Sequence, residues 1–260
     1  MVDASIPTQA VEPRRISKDD VRNALRAGLA DFQKTPLISF FFGAVFSIAG
    51  ICLALLLVRG DFGYWLLPLA AGFPLIGPFA AVGLYEISRR IEADEPLELG
   101  GILITVFRSP NGQLPLFMVL VVFFFLAWLV MARVIFAVSF GTASMTNVLT
   151  SVEVFFTMQG LLMLAVGTLV GAALAALLFS ISVVGVPMLM DRDVDVVTAI
   201  ITSVRATLDN QDTMLVWGLT VGVATLVAML PIFLGMVLVF PVLGHASWHL
   251  YRAIIPQEKT

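Results

Sequence analysis

The strongest constraint on this chain is the length of its stretches without charge. Val154 to Met190 runs 37 residues, and Thr213 to Tyr251 runs 39, with no Asp, Glu, Lys or Arg. A membrane helix needs about 20 mostly apolar residues to cross the hydrocarbon core, and each of these runs exceeds that. Apolar residues make up 59% of the chain and charged residues 13%, about half the usual charged share of a soluble protein. Lipid is therefore the solvent for most of the chain. The formal net charge of -3 offers no basic face for nucleic acid. Cys52, the single cysteine, lies inside an apolar run and has no intramolecular disulfide partner.

Six spans are expected. Leu37–Val58 and Phe62–Tyr85 form a hairpin around Arg59 and Asp61, and Leu114–Ala132 continues past Arg133 to about Val138. Gly160–Val186 is the fourth span, and the last run divides into two if Leu230-Pro231 marks the turn. The first apolar run begins only at Leu37, too late for a cleavable signal peptide, so residues 1–16 read as a disordered cytoplasmic tail. With the N-terminus inside, thirteen of the fifteen Lys and Arg are cytoplasmic, and only Arg59 and Arg133 lie outside. Both ends then face the cytoplasm, and 256–260 is a second short tail.

The expected fold class is all-α, a polytopic six-span transmembrane bundle built as three pseudo-repeats of an interfacial amphipathic helix followed by a helical hairpin. The repeats are about 17–93, 94–192 and 193–255. Their surface helices carry apolar residues at helical spacing: Val21, Leu25, Leu29 and Phe32; then Leu99, Ile102, Leu103 and Val106; then Val197, Ile200, Ile201, Val204 and Leu208. Each has one arginine near its end, Arg26, Arg108 and Arg205, as a contact for anionic headgroups or simply as positive-inside placement. Phe73-Pro74-Leu75-Ile76-Gly77 also matches Phe240-Pro241-Val242-Leu243-Gly244.

Phe240 to Arg252 holds both histidines of the chain. On a helix His245 and His249 share one face, where a pair four apart can chelate a metal ion if another helix supplies a third ligand, Glu86, Tyr85 or a methionine. They cannot bind opposite faces of one haem. The plainer reading has each ring hydrogen bonded to a neighbouring helix, with Trp248, Tyr251 and Arg252 at the headgroup level. Glu86 can pair with Arg89 and Arg90 within its own helix or serve as a proton relay. Together Glu86, Arg89, Arg90, Trp248, Tyr251 and Arg252 make up a candidate substrate or partner site.

The remaining features read more plainly. Arg133 can snorkel to water from its span end, or bind anionic substrate or lipid. Asp191, Asp193 and Asp195 lack the glycine and distal glutamate of a calcium loop and read as a solvated turn. Gly167-x-x-x-Gly171-x-x-x-Ala175 and Gly218-x-x-x-Gly222 suit close approach of helix backbones. Pro68, Pro74, Pro78 and Pro241 should kink the second and sixth spans. No phosphate-binding loop, nucleophile elbow or His-Glu-x-x-His is present in the sequence, so no enzyme class is indicated and no cofactor is expected.

The threefold plan is similar to that of mitochondrial carriers, but their Pro-x-[Asp/Glu]-x-x-[Lys/Arg] signature is absent after the odd-numbered spans. A closer resemblance rests on Leu25-Arg26-Ala27-Gly28 with Asp31, on Gly83-Leu84-Tyr85 followed by Arg89-Arg90, and on the segment from Pro241 to Arg252. These residues resemble the bacterial integral membrane proteins of domain of unknown function 2189, over about Asp20 to Arg252. The resemblance implies a multi-span inner-membrane protein and no particular activity. The expected function is accessory or scaffold, with lipid and a membrane-protein partner or a second copy as its contacts. A small-solute transporter or channel using spans two and six, and metal or haem handling through His245 and His249, are the alternatives.

Overall fold

The computed structural model describes residues 12–59, 65–107, 112–141 and 152–257. Arg108 lies outside the described residues. Among the described residues there is no strand, and the long elements are helices. They are α1 (Lys18–Lys34), α2 (Pro36–Arg59), α3 (Leu66–Glu92), α4 (Leu99–Phe107), α5 (Gln113–Phe140), α6 (Met158–Asp191), α7 (Val196–Asp209), α8 (Gln211–Met229) and α9 (Met236–Ile254). In chain order one short helix precedes two long ones, three times over.

Local chemistry sets the boundaries. Ser17 and Asp20 form a reciprocal capping box at the start of α1. Pro36 cannot donate a backbone hydrogen bond, so α1 stops at Lys34 and α2 begins on the proline. Thr157 and Asp195 cap α6 and α7 through their side-chain oxygens.

The prolines are expected to kink the second and sixth spans; the interrupted helices are α3, the second, and α6, the fourth. In α3 the α-turns give way to a 3-10 stretch at Phe73–Ile76, around Pro74, before resuming. In α6 the break falls at Val183 and Val184, between Met158–Ser182 and Gly185–Asp191, with Pro187 just beyond. The hydroxyl of Ser203 on α7 mends that break: it accepts from the Val184 N–H at 3.1 Å and donates to the Ser180 carbonyl at 2.7 Å. By contrast α9 runs unbroken through Pro241, whose ring sits against Gly43 of α2.

The turn between α8 and α9 falls at residues 230–235, as the Leu230-Pro231 signal predicts. Ile232 and Phe233 both take positive φ there, 52° and 63°, a conformation that costs a β-branched residue dearly. The Phe233 ring is buried against Gly50 and Phe73, and its carbonyl accepts the Ser47 hydroxyl at 2.8 Å. These contacts hold the turn in its strained form.

Helix α9 is central, packed on α1, α2, α8 and the end of α3. Phe46 of α2 stacks on Phe240 at 4.3 Å and touches Phe73 at 4.5 Å, tying three helices. On the other side α5 packs on α6 and on the first half of α3. Trp128 is the key there, its Nε1 donating to the Pro68 carbonyl at 2.7 Å while its ring lies against Gly72 and Gly171.

Among the described residues five helices are long and apolar enough to cross a membrane: α2, α3, α5, α6 and α8. The expected sixth, α9, is not among them. Its face carries His245, Ser247, His249 and Arg252, which lower its hydropathy while packing inward.

The apolar stripe of a surface helix can lie in lipid or against the bundle, and the residues of α1, α4 and α7 divide between the two. In α1 the buried positions are Val21, Ala24, Gly28 and Asp31, at helical spacing, while Leu29 is exposed and Leu25 and Phe32 are half-buried. In α7 the buried face is Val196, Ala199, Thr202, Ser203 and Ala206, and Val197, Ile201 and Leu208 are exposed. Small residues let these helices approach the bundle closely, and in α7 the large residues Val197, Ile201 and Leu208 face away from it. In α4 Ile102 is fully buried and Leu99 is exposed.

The start of the described chain is not free either. The Arg14 N–H donates to the Ile254 carbonyl at 2.9 Å, and Asn210 accepts from the Ile16 N–H at 2.7 Å and donates to the Arg14 carbonyl at 3.2 Å. The last residues of the segment expected to be a tail are therefore anchored, and they meet the end of α9.

Candidate functional site

The predicted site residues converge where the ends of α1, α3, α6 and α9 meet, but their partners differ from those expected. His245 and His249 do share a face of α9, and what faces them is Asp31 on α1. His245 is fully buried. Its Nδ1 lies 2.8 Å from the Ser88 hydroxyl, and that hydroxyl is 2.9 Å from Asp31 Oδ2. An ionised carboxylate only accepts, so Ser88 donates to Asp31 and His245 Nδ1–H donates to Ser88. On its other side His245 Nε2 meets the Ser39 hydroxyl at 2.9 Å, and Ser39 meets Thr35 at 3.0 Å.

His249 approaches the same carboxylate directly, with Nε2 2.6 Å from Asp31 Oδ2. Its Nδ1 is 3.7 Å from Glu92 Oε1 on α3. Thr35, Ser39, His245, Ser88, Asp31 and His249 thus form one continuous hydrogen-bonded chain across four helices. Burial pushes the Asp31 carboxyl up, but the hydrogen bond and charge of His249, the Ser88 hydroxyl and the charge of His245 outweigh it and hold it below the usual carboxylate range. Lys34 adds a looser contact at 3.8 Å.

The third ligand foreseen for a metal, from Glu86, Tyr85 or a methionine, is not brought to the two imidazoles. Among the described residues no group of three His, Cys, Asp or Glu is placed to hold a metal ion. Glu86 is nearly fully buried and is consumed by its own helix: Arg89 Nε donates to it at 2.8 Å and Arg90 Nε at 2.6 Å. Arg89 also reaches Glu95 at 2.7 Å, and Arg90 donates to the Pro96 carbonyl at 2.9 Å.

Trp248 and Tyr251 correct the reading that placed them at the headgroups, since both are 0% exposed. The Tyr251 hydroxyl donates to Asp191 Oδ2 at 2.7 Å, and Arg252 donates to the same oxygen at 2.7 Å and to Glu92 at 2.9 Å. The Arg252 guanidinium stacks 4.6 Å from the Trp248 ring. Asp191, read as part of a solvated turn, instead ties the end of α6 to α9, whereas Asp195 caps α7. Trp248 Nε1 is buried without a hydrogen-bond partner.

Glu86, Arg89, Arg90, Glu92, Asp191 and Arg252 line a cleft of about 410 Å³ at this end of the bundle, with charges of both signs. Arg26 and Arg205 are exposed and remote from the ion pairs described here. The residues missed by sequence reasoning are Ser39, Ser88, Glu92 and, above all, Asp31. One signal was available: an acid in the last turn of α1 opposes the helix dipole, so it needs a partner elsewhere.

Residues 66–191 match the family model described as predicted integral membrane protein (DUF2189). That segment contains Gly83-Leu84-Tyr85 and Arg89-Arg90, while the α1 and α9 motifs of the resemblance lie outside it. No curated protein and no solved structure matches the chain.

Proposed function

For an integral membrane protein with several helices able to cross the bilayer and this family match over residues 66–191, we propose a non-enzymatic accessory or scaffold role at the inner face of a bacterial inner membrane. The observation that carries the reading is the orientation of α1 and α7. Both turn mainly small and polar residues to the bundle; α7 holds Val197, Ile201 and Leu208 outward, 64%, 56% and 59% exposed, α1 presents Leu29 at 44%, and Arg26 and Arg205 are exposed beside them. That is the build of a helix lying in the interface, its stripe among acyl chains and its cation near headgroups.

Six crossings complete this reading, with α9 as the sixth and both ends cytoplasmic. The hydrogen bond between Arg14 and Ile254 supports an even number, because it brings residues near both ends of the chain to one side. The short–long–long order of helices supports three repeats, each with a proline in its last helix, which interrupts α3 at Pro74, follows the break in α6 as Pro187, and lies within an unbroken α9 as Pro241. The ion pairs of Glu86, Asp191, Glu92 and Arg252 serve as a rigid plate beneath the spans.

Purified, delipidated protein reconstituted in liposomes should move no solute by itself; transport by the protein alone would undo the assignment. A tag fused after Thr260 should be reachable from the cytoplasm and not from the periplasm. The transport alternative ran through His245, His249 and Glu86, and none of these lines the large groove beside α3.

A further inference from the structure

The hairpin of α8 and α9 stops short of the helices around it, and three of them measure the shortfall. In its turn the Phe233 carbonyl accepts from Ser47 of α2, and the Phe233 ring lies against Gly50. Gly50 is nine residues before Arg59, so α2 continues about 13 Å beyond the turn. The same ring meets Phe73 of α3 at 5.1 Å, seven residues from Leu66, and about 10 Å of that helix lies beyond the contact. On α6 the Phe179 ring stands within 4 Å of a Cβ built on Gly218 of α8. From that level α6 extends 21 residues back to Met158, whereas α8 has 11 left before Met229; the difference of ten residues is about 15 Å.

Helix α2 also gives the depth. Gly50 is 14 residues, about 21 Å, from Pro36, which leaves roughly 9 Å of a 30 Å hydrocarbon layer beyond the turn. The chemistry of residues 230–235 suits that position. No residue from Thr213 to Tyr251 is charged, and Leu230, Ile232 and Leu234 are all exposed. Acyl chains solvate three such neighbours, whereas water does not. Non-helical backbone is excluded from hydrocarbon when its polar groups go unpaired. Here the amides of Leu230, Phe233, Leu234 and Met236 donate to carbonyls within the hairpin, Pro231 has no N–H, and Ser47 donates to the Phe233 carbonyl.

We propose that the hairpin is re-entrant: α8 and α9 enter from the cytoplasmic side, pass the midplane and turn back inside the outer leaflet, with Leu230, Ile232 and Leu234 among its acyl chains. The inference rests on the bilayer reading above and refines it, because of six passages through the midplane the last two are joined within the membrane. Both ends stay on the cytoplasmic side. The turn is then presented to outer-leaflet lipid and not to any periplasmic partner.

The test is the depth of a nitroxide label. The full chain carries Cys52→Ser and one new cysteine, Leu230→Cys, Ile232→Cys or Leu234→Cys in the turn. Leu126→Cys, exposed near the middle of α5, and Val138→Cys, exposed near its outer end, are the controls. Each labelled protein is reconstituted in vesicles of phosphatidylethanolamine and phosphatidylglycerol. Electron paramagnetic resonance then reads collisions with dissolved oxygen, which enters hydrocarbon, and with a polar nickel chelate, which stays in water. Labels in the turn should match Leu126→Cys, with oxygen reaching them freely and the chelate at least about tenfold less than at Val138→Cys. Three independent exposed sites keep the test decisive if one variant fails to match wild type in circular dichroism or monodispersity. Chelate access at the turn equal to that at Val138→Cys, with Leu126→Cys still protected, would overturn the re-entrant hairpin alone. Chelate access at Leu126→Cys as well would overturn the bilayer reading with it. Turn labels shielded from both reagents would mean a polypeptide cover in place of lipid and would also overturn the proposal.

Discussion

The closest helix approach in the site is at Gly28, and enlarging that residue should separate α1 from α9. A Cβ at Gly28 would stand 2.5 Å from the Ala246 nitrogen and 2.7 Å from its Cα, atoms of a helix backbone that cannot rotate aside. Restoring an ordinary contact of about 3.5 Å moves α1 outward by about 1 Å. Asp31 lies one turn further along, and the same shift stretches its 2.6 Å bond to His249 to about 3.6 Å, beyond hydrogen-bonding distance. Overpacking of this kind costs about 1–3 kcal/mol, and losing a hydrogen bond to a charged group about 1.5–3 kcal/mol. For a chain of this size the sum corresponds to a drop in melting temperature on the order of 10 °C. Gly28→Leu should show it by circular dichroism in detergent, alongside Gly100→Leu, whose Cβ meets nothing within 4 Å, as the control. A Gly28→Leu protein melting within about 1 °C of wild type would refute the claim that this contact holds the site together.

Asp31 should also give the fold an acid limit. Its folded carboxyl titrates below an ordinary aspartate, so its contribution is fully present above the unfolded pKa and is lost as pH falls through the lower folded one. Melting temperature measured from pH 6 downward should fall more steeply below about 4 in wild type than in Asp31→Asn, and parallel curves would contradict this. Ser203→Ala leaves the Val184 N–H and the Ser180 carbonyl without their partner at the break in α6, and should cost about 1–3 kcal/mol in chemical denaturation. Ile232→Gly relieves a positive φ at a residue whose side chain is 65% exposed, and should stabilise by about 1 kcal/mol in the same assay. Tyr251→Phe removes the bond to Asp191 while Arg252 remains, and should cost about 1.5–3 kcal/mol.

What could be read from sequence was whatever repeats along one helix. Uncharged runs located α2, α3, α5, α6 and α8, and prolines located the interruption of α3 and the turn before α9. The pairing of Glu86 with Arg89 and Arg90 follows from spacing alone. What could not be read was which face of a helix turns inward. In α1 and α7 spacing marks an apolar stripe that suits lipid or the bundle, because lipid accepts such residues as readily as a protein core does, and close packing favours the small ones. The same reasoning misplaced Trp248 and Tyr251, since amphipathic rings suit a headgroup belt and a polar core equally well. Asp31 pairs with a residue 218 positions away, and no periodicity spans that distance.

The meeting of Arg14 with Ile254 and of Asp31 with His249 has a consequence for biosynthesis. The Asp31 carboxylate can meet Lys34 and then Ser88 as α1 and α3 are made, whereas its shortest contact, to His249, waits for a helix made 218 residues later. Docking of α1 and of the segment before it onto α9 is therefore a late step of assembly.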